Sequence, residues 1–167
     1  MAVRFTATKE EISGLPPIPE GLYEVRLDGF KPAWAQKKDS YNLNPQMKVI
    51  GHAEHNDRKP SFFNLNTKAK FMWKDFCHCF GVQCAEDASG ETEFPGDFGD
   101  HAASAPETWE YSGPLLGQTG QLYVVQTPAR DKNGNVKSDG TMRNEIKYFV
   151  CKVPGCAESH SDNLIKK

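Results

Sequence analysis

The chain has 167 residues, enough for one domain with a sizeable core and too few for two comfortable ones, and its 38% hydrophobic and 25% charged content is that of an ordinary globular protein. No run approaches the roughly 18 apolar residues of a membrane span, which argues against a membrane protein. The formal net charge of −2 hides a division: Lys31 to Asp75 nets +5 and Arg130 to Lys152 nets +3, while Phe76 to Glu110 has no Lys or Arg and nets −8.

The opening "MAVRFTATKEEISGLPPIPEG" has no apolar stretch after its arginine, and Glu10 and Glu11 are wrong for a transit peptide, so residues 1–20 are expected to be a cytosolic arm. The proline-rich end of this arm gives way to "GLYEVRLDGF", where Tyr23, Val25 and Leu27 alternate with Glu24, Arg26 and Asp28 as a half-buried strand requires. A polar stretch, "KPAWAQKKDS", then leads into a second alternating run, "YNLNPQMKVIGH", in which Leu43, Met47 and Val49 share a face and Pro45 marks an edge or a bulge. After the turn-like "HNDRKP", "SFFNLNT" reads as a third strand, with Phe63 and Leu65 opposite Phe62, Asn64 and Asn66. Thr67 can cap a helix over "KAKFMWKDFCHCF" that Gly81 ends, with Ala69, Met72, Trp73, Phe76 and Phe80 in one apolar stripe. The acidic stretch of about residues 85–112 has no sustained period and reads as a long loop. Two further strands follow, "QLYVVQT" and "EIKYFVC", joined by "PARDKNGNVKSDGTMRN" with its Asn-Gly and Asp-Gly turn signals, and residues 153–167 form a tail.

Five strands with a helix between the third and fourth is the plan of the OB-fold. The expected fold is therefore all-β with one helix, a five-stranded OB-fold barrel over residues 21–152 that carries a long acidic insertion. In that plan "KPAWAQKKDS" becomes the loop between strands one and two, and "RDKNGNVKSDGTMR" the loop between strands four and five, the two loops that border the binding face. Both are basic.

Catalytic and metal signatures are weak. Cys77 and Cys79 form C-x-C, off the usual zinc spacing, and on a helix their thiols would point about 160° apart, so the five cysteines read as free thiols in a cytosolic setting. "DKNGNVKSDGTM" has Val136 where a calcium loop needs glycine and Met142 where it needs a bidentate glutamate. The histidines are scattered, and no nucleophile elbow, zinc-protease or phosphate-loop motif occurs. The chain reads as a binding protein without cofactor or catalysis.

What stands out is rings beside cations. Single-stranded nucleic acid is held by a basic groove along its phosphates and by aromatic faces on which bases stack. Lys31, Trp34, Lys37, Lys38 and Tyr41 supply both within one stretch, and Arg130 and Lys132 give the second loop its cations. Trp34 should face the groove, Lys37 and Lys38 should border it, and Lys48 should continue the track down strand two. Phe62 and Tyr123 sit opposite the apolar positions of their strands, so their rings should face outward. The competing reading packs Trp34 and Tyr41 on the barrel and leaves the lysines as solubilising charge.

The segments "PPIPEGLYEVRLDGFKPAWAQKKDSYNLNPQMKVI", "FFNLNTKAKFMWKDFCHCFGV" and "GPLLGQTGQLYVVQTPARDKNGNVKSDGTMRNEIKYFV" together resemble the phage-encoded OB-fold single-stranded DNA-binding proteins over most of Pro16 to Val150. The resemblance implies sequence-nonspecific coating of exposed strands during phage DNA replication or recombination, in the host cytoplasm. It implies binding roles for Arg26, Lys48, Arg130, Arg143 and Lys147 through their places in the barrel. The partners implied are single-stranded DNA and phage replication or recombination proteins, with a homodimer allowed. Many such proteins end in an acidic recruiting tail, whereas this sequence ends "AESHSDNLIKK", and its acidic block, with Phe94, Phe98, Trp109 and Tyr111, is internal. That block either competes with DNA for the basic groove, docks a partner, or is a solvated loop tacked to the barrel by its rings. The alternative function is accordingly an OB-type interaction module, a phage host-takeover factor acting through the acidic aromatic loop.

Overall fold

In the computed structural model, which describes residues 16–61, 63–86, 88–89, 92–99, 105–153 and 164–165, the first alternating run grows into a strand longer than its pattern announces. Phe62, Cys156 and the arm before Pro16 lie outside the described residues. Strand β1 spans Gly21–Ala35 and β2 spans Ser40–Val49, joined only by a 3₁₀ turn over Gln36–Lys38 and by Asp39, whose φ of 47° is left-handed. The expected loop between strands one and two is therefore mostly ladder: Lys31, Pro32, Ala33 and Trp34 pair with Asn44, Leu43, Asn42 and Tyr41.

A register shift between Leu27 and Gly29 makes this extension possible. Tyr23, Val25 and Leu27 point inward before the bulge, and Phe30 and Pro32 point inward after it. One extra residue thus keeps the apolar face on the core although the alternation breaks at Asp28 and Gly29. Pro45, expected at an edge or bulge, faces Phe30, one pair beyond this bulge.

Strand β3 is only Leu65–Asn66, paired with Leu43 and Asn42. The rest of the expected third strand works across the sheet's open side instead. Ser61 Oγ donates to the Asn144 carbonyl at 2.9 Å, and the Phe63 and Phe149 rings meet at 5.4 Å. Helix α1 spans Lys70–Cys79, and its N-cap is Ala69 rather than Thr67. Thr67 is diverted, because its hydroxyl oxygen accepts the Tyr41 N–H at 3.1 Å. Gly81, at φ 76°, does follow the helix end and donates to the His78 carbonyl. Trp73, Phe76, Cys77 and Phe80 of this helical segment are buried on the sheet, with Met72 partly buried beside them.

Two short strands, β4 (Ala85–Glu86) and β5 (Thr92–Glu93), make a separate hairpin within the acidic stretch. The main sheet resumes with β6 (Thr119–Pro128) and β7 (Met142–Val150), and β8 (Leu164–Ile165) adds a short parallel edge to β7. The order β3-β2-β1-β6-β7 is antiparallel throughout, and the described residues form a mostly-β fold with one α-helix and a curled, five-stranded half-barrel. A Cβ on Gly120 would stand 2.5 Å from the Cys79 carbonyl oxygen, so the end of α1 approaches β6 only because that position is glycine.

The end of the N-terminal arm belongs to the core. Ile18 is fully buried, and its backbone is clasped at both groups by the Asn144 amide, whose Oδ1 accepts the Ile18 N–H and whose Nδ2 donates to the Ile18 carbonyl, each at 2.9 Å. The described part of the acidic stretch is tied down by rings. Phe94, Phe98 and Tyr111 pack on Phe30 at 5.7, 6.0 and 4.9 Å. Tyr111 is buried and donates to the Pro95 carbonyl at 2.6 Å, and burial pushes its phenol up to about 12.

Cys77, Cys79 and Cys84 are free thiols, whereas Cys151 is disulfide-bonded, contrary to the expectation of free thiols throughout. Among the described residues no cluster of His, Cys, Asp and Glu could hold a metal ion, and no helix is long and apolar enough to cross a membrane.

Candidate nucleic-acid interface

The tip of the β1–β2 ribbon carries the rings. Trp34 and Tyr41 are directly opposite each other in the ladder, and their centroids lie 4.9 Å apart in an edge-to-face arrangement. Trp34 keeps 48% of its surface exposed. Tyr41 is half-buried because its ring also meets Trp109, 5.1 Å away in the acidic stretch. Lys37 and Lys38, in the 3₁₀ turn, are exposed beside this ring pair and make no ion pair with a described residue.

A buried polar cluster holds the tip in place. The Asn66 amide donates to Ser40 Oγ at 2.9 Å and to Asn42 Oδ1 at 2.8 Å, and the Trp73 indole donates to the Asn66 carbonyl at 3.2 Å. These bonds satisfy groups that β3, two residues long, could not satisfy by its ladder alone.

The expected single track from Trp34 to Lys48 is not formed. By register, Trp34 and Tyr41 extend the inward face of Phe30, Pro32 and Leu43, whereas Lys31, Asn42, Asn44 and Lys48 lie on the outward face. The bulge causes the split, because it moves every residue after Gly29 to the face opposite the one that unbroken alternation assigns. Rings and cations therefore meet only around the ribbon's tip and its edges.

On the outward face the cations differ in availability. Asp28 takes Arg26 at 2.6 Å and approaches Lys48 at 3.9 Å, and the Arg26 hydrogen bond holds the Asp28 carboxyl below the usual range. Lys31 lines a groove of about 320 Å³ with Ala33, Asn42, Asn44, Asn64 and Glu107. A second groove of about 330 Å³ lies between Pro17, Arg58, Lys59, Ser61 and the Arg143 to Glu145 stretch of β7. Burial lowers the Lys59 pKa, and nearby Lys31 lowers it further. Arg143 lends part of its charge to Glu145, 2.6 Å away.

The remaining expected residues are spread out. Arg130 bonds the Gly134 carbonyl at 2.7 Å, and Asp131 Oδ1 accepts the amides of Asn133 and Asn135, so that stretch is a self-bonded turn with Lys132 exposed on it. Tyr123 faces outward and meets Tyr148 at 5.0 Å with the ring planes tilted by 36°, with half-exposed Leu22 opposite it on β1. Lys147 is exposed at the β6–β7 register shift, where it has no ladder partner.

Sequence reasoning missed Arg58 and Lys59, read only as part of a turn, and the three asparagines of the Lys31 groove. Their signal was available: Asn42 and Asn44 repeat at a spacing of two on the polar face of a strand, and a basic pair precedes Pro60 next to that strand. No family model matches this chain, and neither does any curated protein or solved structure.

Proposed function

We propose that the chain is an OB-type single-stranded DNA-binding protein that coats exposed strands without reading their sequence and without catalysis, in phage DNA replication or recombination. The observation that carries this reading is the ribbon tip, where Trp34 offers an open ring backed by Tyr41 with Lys37 and Lys38 alongside. An unstacked base gains about 1–3 kcal/mol from such a ring, and lysines neutralise the phosphates on either side of it. A base already stacked in a duplex has no face to give.

Two further features support the reading. The strand order β3-β2-β1-β6-β7, with α1 between β3 and β6, is consistent with an OB-like plan, in which the β1–β2 connection would serve as a binding loop. The Lys31 groove and the separate groove of Arg58, Lys59 and Arg143 offer cations to a strand leaving the tip. The alternative, a protein-interaction module working through the acidic aromatic loop, gains little, because Phe94, Phe98 and Tyr111 are packed on Phe30.

The test is a titration with matched single-stranded DNA, duplex and RNA oligomers at several salt concentrations. Oligothymidine should quench tryptophan fluorescence, and log affinity should fall linearly with log salt, with a slope of about −0.7 per phosphate neutralised. Flat fluorescence together with no salt-sensitive binding would sink the proposal.

A further inference from the structure

Beyond Leu27 the edge of β1 opposite β2 has no strand neighbour among the described residues, since β6 pairs only with Gly21 to Arg26. The segment that packs there is a 3₁₀ turn, Pro106–Thr108. Glu107 reaches the outward-face groove of Lys31, while Trp109 meets Tyr41, whose ring belongs to the inward face. Within three residues the turn therefore spans the ribbon's free edge, with a carboxylate on one side and a flat ring on the other.

We propose that this turn occupies a nucleotide subsite of the ring platform, Trp109 standing where a base would stack on Tyr41 and Glu107 where a phosphate would meet Lys31, so that a strand enters by displacing it. The inference rests on the single-strand reading above and adds the regulation of that site. A strand that uses both the ring pair and the outward cations must pass round the ribbon, and this edge is one of its two routes beside the tip, because the bulge has put them on opposite faces. Charge and ring in the turn follow the order that a phosphate and its base would take along that path.

The turn is braced by its own hydrogen bonds. The Thr108 and Trp109 N–H groups donate to the Ala105 and Pro106 carbonyls at 3.0 Å, and the Thr108 hydroxyl donates to Ala105 at 2.7 Å, so its helical bonds are internal. After it, buried Tyr111 and the Asp97–Ser112 bridge anchor the chain. Beneath Trp109 lies an apolar cavity of about 210 Å³ walled by Leu43, Trp73, Phe94 and Phe98, ready to receive a ring when the indole leaves. Because the competitor is tethered, its effective concentration is in the millimolar range. Weak ligands are thereby excluded, whereas a strand making many phosphate contacts prevails.

The experiment compares oligothymidine affinity of the unaltered chain, Glu107→Gln, Trp109→Ala and the double variant in the full-length protein, with thermal melts to establish folding. The double variant should bind three- to tenfold more tightly, and Glu107→Gln alone, an exposed and conservative change, should tighten binding in the same direction. In Trp34→Phe protein, where Trp73 is buried, saturating oligothymidine should increase acrylamide quenching of Trp109. Equal or weaker binding by folded variants, or protection of Trp109 on binding, overturns the inference while leaving the single-strand reading standing. If neither the unaltered chain nor any variant binds, both readings fall together.

Discussion

Replacing Trp34 by alanine isolates the stacking contribution from everything else at the ribbon tip. The ring is 48% exposed and its covered edge already rests on Tyr41, so about half of it is free to meet a base. A full base–aromatic stack is worth about 1–3 kcal/mol, and the half-open ring should supply about 1–2 kcal/mol of that, a fivefold to thirtyfold loss of affinity on truncation. Trp34→Phe retains a flat face and should stay within about threefold of the unaltered chain. Folding should be nearly untouched, because truncation removes one cross-strand ring pair, worth about 0.5–1 kcal/mol. Fluorescence anisotropy of a labelled oligothymidine, measured at several salt concentrations, separates ring from charge. Trp34→Ala should lower affinity without changing the salt slope, whereas Lys37→Ala with Lys38→Ala should flatten that slope by about 1.4. A folded Trp34→Ala protein that binds within twofold of the original at every salt would refute the stacking argument and leave only the electrostatic one.

Two predictions concern the scaffold. Asn144→Ala removes both 2.9 Å bonds to the Ile18 backbone; the carbonyl keeps its 3.0 Å bond from Gln126 Nε2, but the N–H is left beside a fully buried side chain, so stability should fall by about 1–3 kcal/mol, read from the denaturant midpoint. An unchanged midpoint would mean that the Asn144 clasp contributes nothing to the fold. Tyr111, with its phenol pushed up to about 12, holds its proton more tightly folded than unfolded. The stability it contributes is therefore complete below about pH 10, the ordinary tyrosine value, and is lost as pH rises toward the folded value. Tyr111→Phe should cost about 1 kcal/mol at neutral pH, from the bond to Pro95, and should shallow the alkaline decline in a midpoint-against-pH series. Some decline should remain, since burial also raises the Tyr23 phenol; an unaltered alkaline limb would contradict the assignment.

Elements whose local pattern and tertiary role agree were legible in the chain. The alternation of Tyr23, Val25 and Leu27 and the apolar stripe of Trp73, Phe76 and Phe80 depend only on period, and all six side chains are buried. Thr67 was misread because its hydroxyl can serve two amides and the distant one, Tyr41, claims it. The third strand was misread for a similar reason: Ser61 and Phe63 look like strand residues but spend their polar and apolar groups on β7, more than 80 positions away in sequence. Long-range partners of this kind leave no local trace. Among the candidate binding residues, exposure was legible from type, whereas availability was not. Arg26, Arg130 and Arg143 look equivalent to Lys37 and Lys38 in sequence, yet each arginine has a short bond to Asp28, Gly134 or Glu145.

The bulge at Asp28 and Gly29 has a consequence that composition could not carry. Had β1 alternated without interruption, Trp34 would share the outward face with Asn42, Asn44 and Lys48, while Lys31 would turn inward and Tyr41 would stay on the opposite face. One extra residue reverses the parity of everything after it, which sends Phe30 and Pro32 into the core and carries Trp34 with them onto the extension of the inward face. The burial of Phe30 against Phe76 and three rings of the acidic stretch stabilises this register over its alternative, since a slip would expose that whole cluster. Core packing thus dictates the geometry of the proposed interface. The rings can be used together with the outward cations only by a ligand that bends around the ribbon, at its tip or at the free edge of β1. A single strand, with its freely rotating backbone, can follow that path, and a duplex with a persistence length of about 150 base pairs cannot.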